Sequence, residues 1–271
     1  MATEKWLVDD ARTITVDMVR NLKVGLIGGK VDIIGHDDPG ARIEIHSVST
    51  KPIKITMDGD TLEIDHPQLA WDNLIAVFTS FKDNAHADIS IMVPRDVALK
   101  FGVVSASALI SGLTDDAKVS TVSGDVVIDN VYGDLDLNSV SGEINVRNHY
   151  GNITSKTVSG GITASGEIMK FNSNSVSGDV FLDVKGTPDS VVVKSVSGDF
   201  TLRLESGVPA QYKVNSLSGR LQLDDSSIRG VIGQYTSTYG KLDGQWVDFS
   251  ASTVSGDVSV VHSVSAENTS R

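Results

Sequence analysis

The chain alternates apolar and polar residues along short segments for most of its length. From Val122 the alternation recurs in consecutive units of nine residues, which begin with VSGDVVIDN and continue with VYGDLDLNS at Val131. Positions 1, 5 and 7 of a unit are predominantly apolar, whereas positions 2, 4 and 8 are mostly polar. A period of two indicates strands with one buried face, and no unit shows the 3.6-residue period of a helix. The pattern therefore predicts an all-β repeat protein.

Units of two kinds alternate, because Ser at position 2 recurs every 18 residues, at Ser123, Ser141, Ser159 and Ser177. Two units then form one coil of about 18 to 21 residues, stacked on the next coil at the inter-strand spacing of ~4.8 Å. This predicts a single-stranded β-solenoid, similar to a β-helix, with the position-1 valines stacked inside it.

Two features of each unit predict its corners. The polar pair at positions 8 and 9, such as Asp129 and Asn130, suits a turn because Asn and Asp tolerate left-handed backbone angles. The glycine at position 3 allows a second bend or a close approach of two backbones.

The first hundred residues continue the alternation less regularly, and no linker divides the chain. We therefore expect one β-solenoid domain over residues 1–262. Its predicted parts are irregular coils at 6–104 with an insertion at 69–87, regular V-S-G-D repeats at 105–262 with a loop insertion at 226–244, and a polar tail at 263–271.

The insertion at 69–87 carries apolar residues at near-helical spacing: Trp71, Leu74, Ile75, Phe78 and Phe81. We expect this segment to cover apolar surface as a cap or side buttress. The alternative is an exposed patch that faces a partner or a membrane.

Charge and composition narrow the function. Lys and Arg total 23 against 35 Asp and Glu, so the net charge of −12 disfavours nucleic acid and anionic membrane surfaces as ligands. The absence of cysteine excludes disulfides and thiolate metal sites. The chain starts without a signal-peptide pattern and has no apolar run of the ~20 residues that a membrane span needs, which predicts a cytoplasmic protein that reaches a surface only by a non-classical route.

Pairs of hydroxyl residues flank the position-1 residue of successive coils. Residues i and i+2 of a strand share a face, so we expect both hydroxyls to point outward and to form two parallel rows. Such an array could bind an ordered surface such as a glycan or ice; alternatively its hydroxyls bond only to one another and to the adjacent corner. The pairs are Thr121 with Ser123, Ser139 with Ser141, Thr157 with Ser159, Ser175 with Ser177, and Ser195 with Ser197.

A carboxylate column is predicted at position 4, interrupted by Gly161 and Arg220. The repeats lack the second glycine and the internal aspartate of calcium-binding nonapeptides, so we expect solvated turn residues and no metal or cofactor. No catalytic motif is present, and Tyr132 and Tyr150 are expected to stack on one outward face. The members of the column are Asp125, Glu143, Asp179, Asp199 and Asp257.

The recurrent [ST]-V-S-G-D-V pattern, with the opening W-L-V, I-T-V, L-K-V and G-K-V-D-I segments, resembles the bacterial putative-adhesin family of β-strand-repeat proteins. The resemblance extends from Trp6 to His262 and implies a β-solenoid of a family whose function is unknown, with no known catalytic activity.

These observations favour a non-enzymatic scaffold or binding module that presents flat repeat faces to a protein partner. A second hypothesis is a self-assembling or adhesive structural protein that binds a glycan or surface, unless Trp6–Arg12 and Trp246–Phe249 cap the strand edges at the solenoid ends. A third is a polysaccharide-active enzyme, which would need clustered carboxylates in one groove.

Overall fold

The computed structural model describes residues 3–49, 51–66, 85–224, 226–229 and 233–263. All regular structure in these ranges is β-strand, with 24 strands and no helix, as the sequence predicts. The predicted apolar patch of the 69–87 insertion (Trp71, Leu74, Ile75, Phe78 and Phe81) lies outside the described residues.

The strands of the first half of the chain are β1 (Glu4–Val8), β2 (Arg12–Val16), β3 (Asn21–Leu26), β4 (Gly28–His36), β5 (Ala41–Ser49), β6 (Ile53–Asp58), β7 (Thr61–Asp65), β8 (His86–Pro94), β9 (Ala98–Val103), β10 (Ser107–Ser111), β11 (Ala117–Thr121) and β12 (Val126–Asp129). Those of the second half are β13 (Leu135–Ser139), β14 (Ile144–Thr157), β15 (Ile162–Ser175), β16 (Val180–Val184), β17 (Ser190–Ser195), β18 (Phe200–Leu204), β19 (Ala210–Ser216), β20 (Arg220–Leu223), β21 (Ser226–Arg229), β22 (Gly233–Tyr239), β23 (Val247–Thr253) and β24 (Val258–His262).

Each coil places one strand in each of two facing ladders. In ladder 1, β9, β11 and β13 pair in parallel and continue into the second half of β14; in ladder 2, β10 and β12 continue into its first half. Ala108 pairs with Val126, which pairs with Ile144, so each step of the ladder advances the chain by 18 residues. This register confirms the predicted β-solenoid.

The stacking order departs from chain order at both ends of the solenoid. The β3–β4 coil lies between the coil of β7 and β8 and the coil of β9 and β10. At the other end, the last coil, β23–β24, is inserted between β17–β18 and β19–β20. The β3–β4 coil and the β23–β24 coil therefore each have hydrogen-bonded neighbours on two sides.

Antiparallel strands close the two ends. At one end β1 pairs with β6 and β2 pairs with β5; at the other, β21 pairs with β20 and β22 pairs with β19. Two parts of the predicted loop insertion at 226–244 therefore form strands, because the edge of the β19–β20 coil offers backbone groups with which β21 and β22 pair. Of the two segments considered as end caps, Trp6–Val8 belongs to the outermost strand, β1, where a cap is expected. Val247–Phe249 instead belongs to β23, which lies inside ladder 1 between β17 and β19.

The inward residues of both ladders form one continuous apolar core that extends from Val8 to Val260. Positions 5 and 7 of the units are buried as predicted, for example at Val126 and Ile128. Towards the C-terminal end, the ring of Phe200 stacks on that of Phe249 with a centroid distance of 5.7 Å and lies tilted against that of Phe171 at 6.5 Å. Vertical stacking thus gives each coil the apolar neighbours that it cannot supply alone.

One corner of the coils confirms the roles expected of Asn and Gly, whereas Asn138 and Ser139 of the V-Y-G unit lie within β13. Asn130 and Asn148 adopt φ angles of 53° and 50°, in the left-handed region. A Cβ atom added to Gly142 or Gly178 would lie 2.2 or 2.1 Å from the carbonyl oxygen of the position-3 glycine one coil earlier. Only glycine lets these backbones approach so closely.

The expectation that the position-1 valines line the core is confirmed for Val131 of the V-Y-G unit and is wrong for the later V-S-G units. Val122 is buried, but Val158 and Val176 are exposed to solvent. The residue before each of them, such as Thr157, occupies the inward position instead, and its hydroxyl bonds to the carbonyl of the glycine three residues later. Strict strand alternation then turns the following valine outward.

Candidate functional site: an exposed apolar corner

The position-1 residues of the V-S-G units, and their counterparts in the less regular coils, form a vertical column along one corner of the solenoid, called here the apolar column. Backbone hydrogen bonds connect successive coils at this corner; the amide of Val158 donates to Ser139 O, the residue before Val140, and that of Val196 donates to Val176 O. In stacking order the column consists of Ile27, Val104, Val122, Val140, Val158, Val176, Val196, Val254 and Leu217.

The two ends of the apolar column differ in burial. Ile27, Val104 and Val122 are 3–5% exposed and form a small buried cluster with Ala85, against which Val140 packs. From Val158 to Leu217 the side chains are 44–62% exposed. One continuous corner therefore buries its apolar residues at one end and presents the same type of residue to solvent at the other.

The predicted hydroxyl rows lie on opposite sides of the chain. The first hydroxyl residue of each pair points inward at Thr121, Ser139, Thr157 and Ser175, where Oγ donates to a glycine carbonyl at 2.5–2.7 Å. Ser195 makes the same bond at 3.1 Å. The expectation that both rows point outward is thus wrong for the first row. Its hydroxyls line the corner from within, where the glycine carbonyls provide the acceptors that buried hydroxyls need.

The second hydroxyl row is exposed, as predicted. Its Oγ atoms donate to the carbonyl oxygen of the column residue one coil earlier: Ser141 to Val122 at 3.0 Å and Ser159 to Val140 at 3.1 Å. Ser123, Ser177 and Ser197 make the corresponding bonds. The exposed serines thus border the apolar column and partly satisfy its backbone.

Opposite charges flank the exposed part of the apolar column. Lys156 and Lys194 project from the outer face of ladder 1. On the other side lie Asp179, Asp199 and Asp257, each of which accepts a hydrogen bond from the backbone amide at the same position of the next coil, at 2.7–2.8 Å. The column therefore has one basic edge and one acidic edge.

A cavity of about 350 Å³ opens at the exposed end of the apolar column, beside Val254 and Leu217. Its lining includes Gln234 of β22 and the buried Ser216, whose Oγ has no hydrogen-bond partner among the described residues.

A buried histidine lies at the covered end. Nδ1 of His66 accepts a hydrogen bond from the Ile27 amide at 3.2 Å, which leaves the proton on Nε2. Burial, together with the nearby positive charge of Lys51, lowers the pKa of His66 to about 4. His66 is thus a neutral structural group near pH 7.

Tyr132 and Tyr150 form the predicted outward pair at the opposite corner. Their ring centroids are 5.9 Å apart, and a parallel bridge connects the two residues. The contact ties adjacent coils together.

Across the described ranges, no group of three or more His, Asp or Glu side chains is arranged to hold a metal ion. The same ranges contain no helix of the length and apolarity needed to cross a membrane.

Residues 20–261 match the family model described as Toastrack DUF4097, so the chain belongs to this family of unknown function. No curated protein matches the chain.

Several solved structures of low sequence identity are similar to the chain. A putative adhesin from Bacteroides fragilis is 12% identical, with 94% of this chain and 97% of that chain covered and a TM-score of 0.47. A putative lipid binding protein from Parabacteroides distasonis is 14% identical, with 97% of both chains covered and a TM-score of 0.46. A putative cell adhesion protein from Clostridium sporogenes is 13% identical, with 97% and 99% covered and a TM-score of 0.32.

Sequence reasoning missed the apolar column as a surface feature. The available signal was the odd length of the unit, which requires one break of in/out alternation per unit, together with a hydroxyl residue immediately before each valine. Only the structure shows that the break falls at the valine.

Proposed function

We propose that this protein is a non-enzymatic binding module that docks an apolar segment of a protein partner along the exposed part of the apolar column. The observation that carries the proposal is the contrast within one column: Val122 is covered, whereas Val176 and Val196 are not. The covered end is an intramolecular example of the packing that we propose for the rest.

The surroundings define the chemistry of the partner. From Val158 to Leu217 the column spans four inter-strand spacings, or ~19 Å, which suits a short helix or strand with one apolar face. Acidic side chains of the partner would face Lys156 and Lys194, and basic ones would face Asp179 and Asp199. The exposed serine row and the 350 Å³ cavity add polar contacts and a pocket for one anchoring side chain.

The polar groups of the corner support a non-enzymatic role. The inner hydroxyls are held by glycine carbonyls, and the carboxylates of Asp125, Asp179, Asp199 and Asp257 are held by backbone amides. The hydroxyls stabilise the corner within each coil and the carboxylates connect successive coils, so both sets of groups have a structural role.

Site-specific photo-crosslinking tests the proposal. A benzophenone amino acid at Val176 should crosslink in native lysate to a protein through an apolar peptide, and the added substitution Val196→Asp should abolish that product. Val196 is about half exposed, so this change should leave the melting temperature nearly unchanged.

Met169 provides the matched control, because it is as exposed as Val176 but lies off the column. Products that form equally from Met169, or that survive Val196→Asp, would contradict the proposal. So would the absence of any product specific to Val176.

Self-association through the ends and a cytoplasmic location stay predictions. The outermost strands β1 and β22 each pair on one side only within the described part of the chain, and Leu7 of β1 is exposed. Light scattering as a function of concentration tests the first prediction, and cell fractionation tests the second.

A further inference from the structure

A chain of side-chain-to-backbone hydrogen bonds follows the position-4 carboxylates up the solenoid. The amide of Glu143 donates to Asp125 Oδ1 at 3.0 Å, and that of Asp199 donates to Asp179 Oδ1 at 2.8 Å. Asp257 and Arg220 continue the chain with amide bonds of 2.8 and 2.7 Å. The carboxylate of each of these aspartates therefore lies beside the amide of the next coil.

Gly161 breaks this chain, because without a side chain it offers no acceptor to the Asp179 amide, and its own amide makes no bond to Glu143 among the described residues. Among the described residues, the Glu143 carboxylate has no hydrogen-bond partner, and the Asp179 amide has no acceptor. One coil thus leaves a charged acceptor and a backbone donor available on the surface, roughly 10 Å apart at two inter-strand spacings.

A groove of about 430 Å³ opens at this break. Its lining includes Glu143, Asp179, Asp199, Ser159, Ser177 and Phe181, and Phe181 is 40% exposed. Phe181 is the large apolar residue on the outer face of ladder 2 here, with Thr163 and Thr201 as its neighbours one coil on either side. The groove therefore combines an aromatic face with separate donors and acceptors.

We propose that this groove binds a short uncharged carbohydrate segment. A sugar ring has an apolar C–H face, which would pack on Phe181, and hydroxyls, which can donate to Glu143 and accept from the Asp179 amide. A few convergent polar groups beside an apolar surface are typical of small-ligand sites. The carboxylates repel anionic sugars and so favour neutral ones.

Gly161 offers a direct test, because a side chain fits there. A Cβ atom at Gly161 would meet only Asp179 O, at 3.8 Å, and the residue is not in the left-handed region. In the variant Gly161→Asp the new carboxylate should accept the Asp179 amide, as in neighbouring coils, and stand in the groove. The variant should therefore fold with unchanged or slightly raised stability.

Calorimetric titration with cellohexaose and N-acetylchitohexaose provides the measurement, with hexagalacturonate as the anionic probe. The unsubstituted protein should bind at least one neutral hexasaccharide saturably and hexagalacturonate more weakly. Gly161→Asp and Phe181→Ala should each raise the Kd by about tenfold or more, the change expected from losing one aromatic or polar contact.

Asn174→Asp is the charge-matched control, since it adds the same charge at an exposed site on the other ladder, and it should bind like the unsubstituted protein. The proposal is overturned if neither neutral probe binds, if Gly161→Asp binds undiminished, or if hexagalacturonate binds as tightly as the neutral probes. Val196→Asp should bind sugar normally, so failure of the protein-docking proposal is distinguishable from failure of this one.

Discussion

Two adjacent glycines show how much a single residue can decide in this fold. A Cβ atom on Gly160 would lie 2.1 Å from Gly142 O, whereas one on Gly161 would lie 3.8 Å from its nearest neighbour. Gly160 allows the backbones of stacked corners to come into van der Waals contact, which a side chain would prevent. The second stands where other coils carry a carboxylate, and its smallness opens a groove.

The glycine pair gives a prediction with an internal control. Gly160→Ala should lower the free energy of unfolding by several kcal/mol, because backbone must move to relieve the clash. Gly161→Ala should change it by less than ~0.5 kcal/mol. Urea denaturation of the two variants measures the difference; equal effects would contradict the role assigned to position 3.

At the scale of the strand, hydrogen bonding depends on position in the stack rather than on position in the chain. β23 and β24 are the last described strands, yet each pairs in parallel with two neighbours. β22, by contrast, has β19 on one side and no described strand on the other. The last two described strands are thus built into the interior, and the strand that precedes them in the chain lies at the edge.

Amide hydrogen exchange should distinguish the interior strand β24 from the edge strand β22. Amides of Val258–Val260 should be protected nearly as strongly as those of Phe200–Leu202, because both sets lie within the same continuous ladder. Amides of Gly233–Tyr239 should exchange faster on average, since a strand at the edge leaves some amides open to solvent. Mass spectrometry of exchanged peptides checks the order; fast exchange in β24 would contradict the inserted arrangement.

At the scale of the whole molecule, the stacked coils share one continuous apolar core. A change of charge at one buried residue therefore affects the stability of the entire domain. Burial lowers the pKa of His66 to about 4 and also lowers that of His149. Burial raises the pKa of Asp65. Its effect on the pH dependence of stability is opposite to that of the histidines, because the folded protein binds a proton at Asp65 more readily than the unfolded chain does. His66 is therefore neutral in the folded protein near pH 6.

The histidine shift predicts acid sensitivity with a defined sign. Between pH 6.5 and about 4, the unfolded chain protonates His66 and the folded protein does not, so stability falls as the pH decreases. Lowering the pH from 7.5 to 5 should cost about 2 kcal/mol through this residue, at ~1.4 kcal/mol per pH unit below the unfolded pKa.

Urea denaturation at the two pH values tests this expectation. His66→Asn retains a side-chain acceptor for the Ile27 amide and should reduce the pH dependence by about the same 2 kcal/mol. Asp65 and His149 are unchanged in this variant, so their contributions cancel in the comparison. An unaltered pH dependence would exclude His66 as the cause.

Much of the architecture could be predicted from local pattern. The 18-residue repeat, the buried residues at positions 5 and 7, the corner at Asn130 and the tyrosine pair all depend on neighbours within one coil or one step of the ladder. For the candidate site the same reasoning identified the serines but not the valines beside them. Alternation predicts that neighbours face opposite sides, and it cannot tell which side of a corner is inside.

The sequence by itself determined that this is a coil-by-coil stack of strands, because alternation, glycine spacing and turn residues are local requirements. Only the tertiary structure decided which coil lies next to which, since every rung offers similar backbone edges and repeat periodicity does not distinguish among them. It also decided that the valines face outward at one end and are covered at the other, because burial depends on what packs against a residue and not on the residue itself.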